Sequence, residues 1–397
     1  MKELSKIYSA VAPSATMAVD AKYKQMKADG LPVVGFGAGE PDFDTPDYIK
    51  AAGIAAIENG QTKYTPAAGT NAVRQAVAYR IKEDTGVDFD WTNIVVSSGA
   101  KACLYTAFTV LLNPGDEVII PAPYWVSFTE QIKMAGGVPV VLETGEEQRF
   151  KITAEQLAAA VTEKTKAIVL NNPSNPTGMI YGREELAAIA DVCVKNDLYI
   201  VADEIYCKLV YDGFEFTSVA SLGEEVKKRC ILINGASKSY AMTGWRCGYA
   251  ACGDKKVART MANVLSHSIG GIGTMNQAAM TAALRGPQDS VEAMRKVFEE
   301  RRNYMVSRMN AMDGVSCLMP NGAFYVMMNI SRLIGRTLGG RVINSADDFA
   351  MAFLESGLVA VVSCDSFGIS NFIRWTYASS MESIKEGMDR LEKFLQS

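Results

Sequence analysis

Among its 397 residues the chain has one histidine, His267. A single imidazole cannot build a multi-histidine metal centre or an HExxH zinc site, and a Ser–His–Asp triad is hard to place around it. Acid–base chemistry near neutral pH then falls to lysine, tyrosine, a carboxylate or a bound cofactor. His267 itself, in L-S-H-S-I-G-G, reads as a structural or pocket-wall residue rather than a catalyst. The eight cysteines include no C-x-x-C pair, so they are expected to be reduced, packed thiols in a cytoplasmic protein. No stretch approaches the roughly 20 apolar residues of a membrane span, and the first residues lack an unbroken apolar signal core. With 40 basic against 44 acidic residues the formal charge is −4, which gives no general attraction to phosphate backbones. Neither nucleic acid nor membrane is expected as a partner.

The length exceeds one ordinary core, and 48% hydrophobic with 21% charged residues is a globular balance, so two domains are expected. Apolar, β-rich runs at Ile94–Ser98, Glu117–Pro121, Val138–Glu143, Lys166–Asn171, Tyr199–Ala202, Cys230–Asn234 and Gly248–Cys252 alternate with helical stretches. Such runs are what a sheet covered on both faces requires. One helix is predicted over Ala100–Leu112, ending at N-P-G-D, and another over Arg183–Asn196, with Leu186, Ile189, Ala190 and Cys193 at helical spacing. These elements predict a doubly wound, seven-stranded, mostly parallel α/β domain over residues 47–275. Residues 276–397 change texture: long helical segments, then strands at G-A-F-Y-V-M-M-N-I and F-I-R-W-T-Y, and a final helix from Met381. Together with the arm 1–46 they are expected to form a smaller α+β domain.

Ligands in open α/β sheets bind at the carboxyl ends of strands. After Ile94–Ser98 comes S-S-G-A-K-A, a small-residue turn opening a helix whose free amides suit a phosphate. After Lys166–Asn171 comes N-N-P-S-N-P-T-G, which sets Asn175 in a proline-constrained loop. After Tyr199–Ala202 comes D-E-I-Y, with Asp203 and Tyr206. After Cys230–Asn234 comes G-A-S-K-S-Y-A-M-T-G-W-R, with Lys238 and, eight residues on, Arg246. Singly these are a helix cap, a turn former, a strand-end acid and a surface amine. Together they supply an anion cradle, an amide, a carboxylate with a phenol, and a lysine able to form a Schiff base.

With P-S-A-T-M-A-V at Pro13–Val19, A-G-E-P-D-F-D-T-P at Ala38–Pro46, K-Y-T-P-A-A-G at Lys63–Gly69, P-Y-W-V-S at Pro123–Ser127 and the motifs above, the chain resembles, over essentially its whole length, the class-I pyridoxal-phosphate aminotransferases of fold type I. Within them it is similar to the branch of bacterial aspartate and prephenate aminotransferases. The resemblance implies pyridoxal 5'-phosphate held by Lys238 as a Schiff base, the freed amine then acting as the base. That role needs a pKa below the usual value near 10.4. It implies Asp203 on the pyridine nitrogen, a pairing worth roughly 4 kcal/mol at about 4 Å and an effective dielectric of about 20. Trp125 would stack on the ring, and Asn175 and Tyr206 would bond its phenolic oxygen. Gly99, Ala100, Ser237 and Arg246 would hold the phosphate, with Tyr64 reaching over from the other subunit of a homodimer.

For substrate, the resemblance assigns Arg374 and Gly39 to the α-carboxylate, and Lys101, with Thr16 nearby, to the distal carboxylate of aspartate or 2-oxoglutarate. No arginine lies between Arg259 and Arg285 to hold that second carboxylate. The segment S-H-S-I-G-G-I-G-T is more glycine-rich than in the family, which leaves prephenate, aromatic or broader specificity open. A β-lyase reaction on the same fold also stays open, because fold alone does not fix chemistry. Cis bonds are expected at Ala122–Pro123 and Asn175–Pro176.

Overall fold

A computed structural model of the chain describes residues 3–9, 11 and 17–397. Seven strands form its main sheet: β1 (Ile94–Ser98), β2 (Glu117–Pro121), β3 (Val138–Leu142), β4 (Thr165–Asn171), β5 (Tyr199–Asp203), β6 (Cys230–Gly235) and β7 (Cys247–Cys252). Their order is β1-β7-β6-β5-β4-β2-β3, all parallel except β7, which runs antiparallel between β1 and β6. Alternation explains why the runs are apolar throughout. Ile94, Val96, Ile168, Leu170, Ile200, Ala202 and Leu232 face one core, while Val95, Val118, Ile120, Val169, Val201, Ile231 and Ile233 face another on the opposite side. Helices Ala100–Leu111 and Lys255–His267 cover the second face, and Asn71–Thr85, Arg183–Lys195 and Thr274–Arg285 the first. The sequence also marks the ends of Asn71–Thr85: Thr70 caps it by accepting from the Val73 amide at 3.4 Å, and Gly86 terminates it with a left-handed φ of 73°.

Two boundaries matter for function. β5 runs one residue past the expected Ala202, so Asp203 sits in the ladder between Asn171 and Ile233. Residues 276–285, expected in the smaller domain, belong to the helix Thr274–Arg285, whose Ala279, Met280, Ala283 and Leu284 pack into the first core. The following helix, Asp289–Asn310, starts in that core with Val291 and continues into a separate one with Met294, Phe298, Met305 and Met309.

That separate core gathers Phe36, Phe324, Tyr325, Phe349, Phe353 and Trp375 around an antiparallel sheet of β8 (Tyr325–Asn329), β9 (Val362–Ser363) and β10 (Phe372–Thr376), with Ser316–Cys317 at its edge. Removing a fully buried ring such as Phe298 by substitution with alanine would cost about 3–5 kcal/mol. The arm enters this core too. Val34–Gly35 pairs with Val359–Ala360, and the Phe36 backbone bonds to Ala360 and Thr376. Residues 37–40 are thereby led across to the carboxyl ends of the main sheet. Ala122–Pro123 and Asn175–Pro176 are cis, and so is Asn172–Pro173.

Candidate active site

The anion cradle is built by close packing of glycines. Gly99 caps the helix Ala100–Leu111 with φ +83°, and a Cβ there would lie 2.5 Å from Arg246 Nη2. Gly248 of β7 presses on the Gly99–Ala100 peptide so closely that its own Cβ would come within 2.2 Å of the Ala100 nitrogen. The first-turn amides of Ala100 and Lys101 have no intrahelical acceptor, and the exposed Arg246 guanidinium stands beside them, steadied by a 2.8 Å bond from Nη1 to the Thr243 carbonyl. Ser237 is buried nearby in chain, its carbonyl accepting from the Met242 amide.

Lys238 lies in the turn after β6 and donates from Nζ to the Gly39 carbonyl. Burial pushes its pKa down to about 8; the charges of Arg374 and Arg246 push the same way, against Glu40 and Asp203. Glu40 is fixed by a 2.9 Å bond from Thr243 Oγ1. Asp203 is buried, and the one hydrogen bond to its carboxylate among the described residues comes from the Ile205 amide at 3.2 Å. Burial therefore raises its pKa to about 7, with that amide and Lys238 opposing. A buried carboxylate this poorly paired is costly unless a cation joins it.

Across from the sheet, Arg374 of β10 is firmly framed. Nη1 bonds Asn175 Oδ1 at 3.0 Å, Nη2 bonds the Gly37 carbonyl at 2.9 Å, and the guanidinium lies 4.5 Å from the Tyr325 ring and 5.0 Å from that of Phe367. Its buried Nε has no partner among the described residues. Asn175 is itself aimed by Asn171, whose Oδ1 accepts its amide at 2.7 Å. The Tyr206 and Tyr325 hydroxyls meet at 3.1 Å, and burial raises the Tyr206 pKa well above its ordinary value. Lys101 Nζ sits 4.8 Å over the Trp125 ring; partial burial first and Arg246 second hold its pKa below the usual lysine range. Trp125 is braced edge-on by Phe128 at 5.5 Å.

The structure thus links Gly39 to Lys238, Asn175 to Arg374, Gly99 to Arg246, and Lys101 to Trp125. Tyr64 is not among them: the residue is fully exposed in the single chain. His267 is exposed at the end of its helix, and Thr16 lies outside the described residues. Sequence reasoning gave no part to Gly37, Glu40, Asn171, Thr243 or Tyr325. Glu40 and Tyr325 stand in recognised motifs, yet nothing local signals contacts made across 119 or 203 residues.

The donor set fits pyridoxal phosphate on three counts. The glycine cradle with Arg246 suits a phosphate, Asp203, with one amide bond among the described residues, suits a pyridinium, and the Lys238 amine suits an aldehyde carbon. No group of three metal-ligating side chains and no membrane-length apolar helix occurs among the described residues.

Comparison with known proteins agrees. Residues 32–391 match the family model for aminotransferase class I and II. The chain is 48% identical over 397 residues to an aspartate aminotransferase of Bacillus sp. (strain YM-2), with all of both chains covered. It is 43% identical to a probable aspartate/prephenate aminotransferase of Rhizobium leguminosarum bv. phaseoli, with 99% of each covered. Its backbone superposes on the aspartate aminotransferase from Thermus thermophilus with maleate at a TM-score of 0.93 and 38% identity, covering 99% of this chain and 100% of that one. The chain belongs to the class I and II aminotransferases, enzymes of fold type I that work with pyridoxal 5'-phosphate.

Proposed function

We propose that the protein moves an amino group reversibly between L-aspartate and 2-oxoglutarate, one substrate leaving before the other enters. The observation that supports this reading is a pair of cations: Arg374, preset by Asn175 and Gly37, and Lys101, held over Trp125 and near enough to Arg246 for that charge to lower its pKa. Two cations suit a dicarboxylate, and the Thermus thermophilus relative was solved with one, maleate. When bound, pyridoxal phosphate supplies the carbonyl that takes up the substrate amine and the ring that spreads the charge left on Cα.

In this reading Arg374 and the Gly39 backbone take the α-carboxylate, and Lys101, with Thr16, the distal one. Neutral Lys238 Nζ would remove the Cα proton, and the burial that lowers its pKa to about 8 in the chain alone favours the free amine this needs. Asp203 would hold the proton on the ring nitrogen. Asn175 and Tyr206 would bond the phenolic oxygen, and Trp125 would cover the ring face. Gly99, Ala100, Ser237 and Arg246 take the phosphate, joined by Tyr64 of the partner subunit in a homodimer. Residues 47–275 form the cofactor-binding domain, to which the packing of Ala279, Met280 and Leu284 adds the helix Thr274–Arg285. Residues 1–46 and the remainder of 276–397 form the smaller one. The setting is a reducing cytoplasm, where eight free cysteines persist.

Aspartate should bleach the visible absorbance of the loaded enzyme, and 2-oxoglutarate should restore it. Lys101→Ala should then lower kcat/KM for aspartate about 10-fold or more and leave alanine within about 2-fold. An equal loss for both would remove Lys101 from the distal carboxylate. A second reading, broader acceptance of aromatic substrates including prephenate, is favoured by the glycine-rich segment 268–273 with its exposed Ile269. A phenylalanine kcat/KM above that for aspartate would select it.

A further inference from the structure

Tyr64 presents an oddity. Its ring is wholly exposed, yet the backbone on both sides of it is firmly tied. Thr274 Oγ1 donates to the Gln61 carbonyl, and the Val96 amide of β1 donates to the Ala68 carbonyl at 3.0 Å. Between these points one side chain does most of the tying. Gln277, 2% exposed, donates from Nε2 to Thr65 Oγ1 at 3.0 Å and to the Ile272 carbonyl at 2.8 Å. Its Oε1 accepts the Thr70 amide at 2.8 Å. Both N–H groups of the amide are used, and no apolar side chain of this size could replace them. Gly271 closes the arrangement: a Cβ there would fall 2.6 Å from Thr65 Oγ1, so the glycine-rich segment packs directly against the loop carrying Tyr64.

Ordering a surface loop costs conformational entropy, and a tyrosine presented to solvent gains nothing from it. The expense makes sense if the phenol must arrive at a fixed point outside its own subunit. We propose that Gln277 is the positioning residue for Tyr64, setting where its hydroxyl meets the cofactor phosphate in the partner subunit's site. This rests on the reading of Tyr64 in the proposed function. It also explains the unusual glycine at 271, which lets Thr65 and the segment 268–273 approach each other around the side chain of Gln277.

The test is the equilibrium dissociation constant of pyridoxal phosphate from the purified dimer, measured by dialysis and absorbance. Tyr64→Phe deletes the phosphate contact and should weaken retention about 10-fold, as expected for a hydrogen bond to a charged group. Gln277→Leu, close in volume, should weaken it by about 5-fold or more. In a Tyr64→Phe background the same change should add less than about 2-fold, because its effect passes through the hydroxyl. Thr65→Val, which removes one Gln277 bond only, should show the same dependence on Tyr64 and serves if Gln277→Leu fails to fold. Tyr64→Phe without loss would overturn the reading of Tyr64 itself. If Tyr64→Phe weakens retention while Gln277→Leu and Thr65→Val do not, or if their losses multiply undiminished in the double variants, the positioning role falls and that of Tyr64 stands.

Discussion

The two rims of the site solve opposite problems. On the sheet rim the functional groups are short of partners within their own chain. Among the described residues Asp203 has a single amide and Lys238 a single carbonyl as hydrogen-bond partners, and Arg246 stands exposed beside free helix amides. On the rim built by β8 and β10, Arg374 is locked by two hydrogen bonds and two rings, and Tyr325 is bonded to Tyr206. In the proposed function the first rim takes a group that stays bound, which would bring the missing cation, anion and carbonyl carbon. In the same proposal the second meets a substrate that comes and goes, and a geometry fixed in advance needs no ordering at each turnover. Function and stability should therefore separate on the first rim and fall together on the second.

The sharpest break between them is Lys238→Met. It keeps the volume but removes the amine that the proposed function sets at the reacting carbon, and activity should fall by about 10⁴-fold or more. The cofactor-free protein should nevertheless melt higher, by about 2 °C, because an ammonium that burial already disfavours is gone. Loss of activity with a lowered melting point would count against a partner-poor rim. Arg374→Ala should behave differently in every respect. Truncation leaves Asn175 Oδ1 and the Gly37 carbonyl without their donor and opens space beside Tyr325. We expect kcat/KM to drop about 10²-fold for aspartate and alanine alike, since both carry the α-carboxylate, together with a lower melting point of the cofactor-free protein. Unchanged stability would mean that the second rim is no more preorganised than the first.

The rims also differ in how far the sequence reveals them. Gly99 and Lys238 follow a strand by one and three residues, Asp203 ends one, and Arg246 lies in the turn that Lys238 opens, so alternation plus the strand-end rule brings them together without knowledge of the fold. All seven strands of the main sheet lie within one or two residues of the apolar runs that predict them. Arg374 is legible only through a motif, and its supports Gly37, Asn175 and Tyr325 come from three distant parts of the chain. No periodicity encodes such a meeting. The helix Thr274–Arg285 is misleading for a related reason: its helical pattern is clear, but which of two cores its apolar face fills is decided by tertiary packing against the helices Asp47–Glu58 and Asn71–Thr85.

The smallest effect concerns the carboxylate next in chain to Asp203. Glu204 is 2% exposed and takes bonds from Ser218 Oγ at 2.9 Å and the Val219 amide at 3.0 Å, both on Oε1. Burial raises its pKa from 4.5 to about 8, and the neighbouring Asp203 adds to the rise. The folded chain then keeps a proton that the unfolded chain releases above about pH 4.5. The contribution to stability is full below that value and is lost as pH climbs through about 8, with a slope of at most about 1.4 kcal/mol per pH unit. Asp203, near 7 in the cofactor-free protein, acts in the same direction but is largely ionised by pH 8. Glu204→Gln preserves the acceptor on Oε1 and cannot ionise. Urea midpoints of the cofactor-free variant should therefore decline less than those of the parent between pH 5 and 8, with the gap widest from pH 7 to 8. Parallel curves would mean that Glu204 is already charged in the fold, and the sheet rim would then hold two buried anions rather than one waiting for its cation.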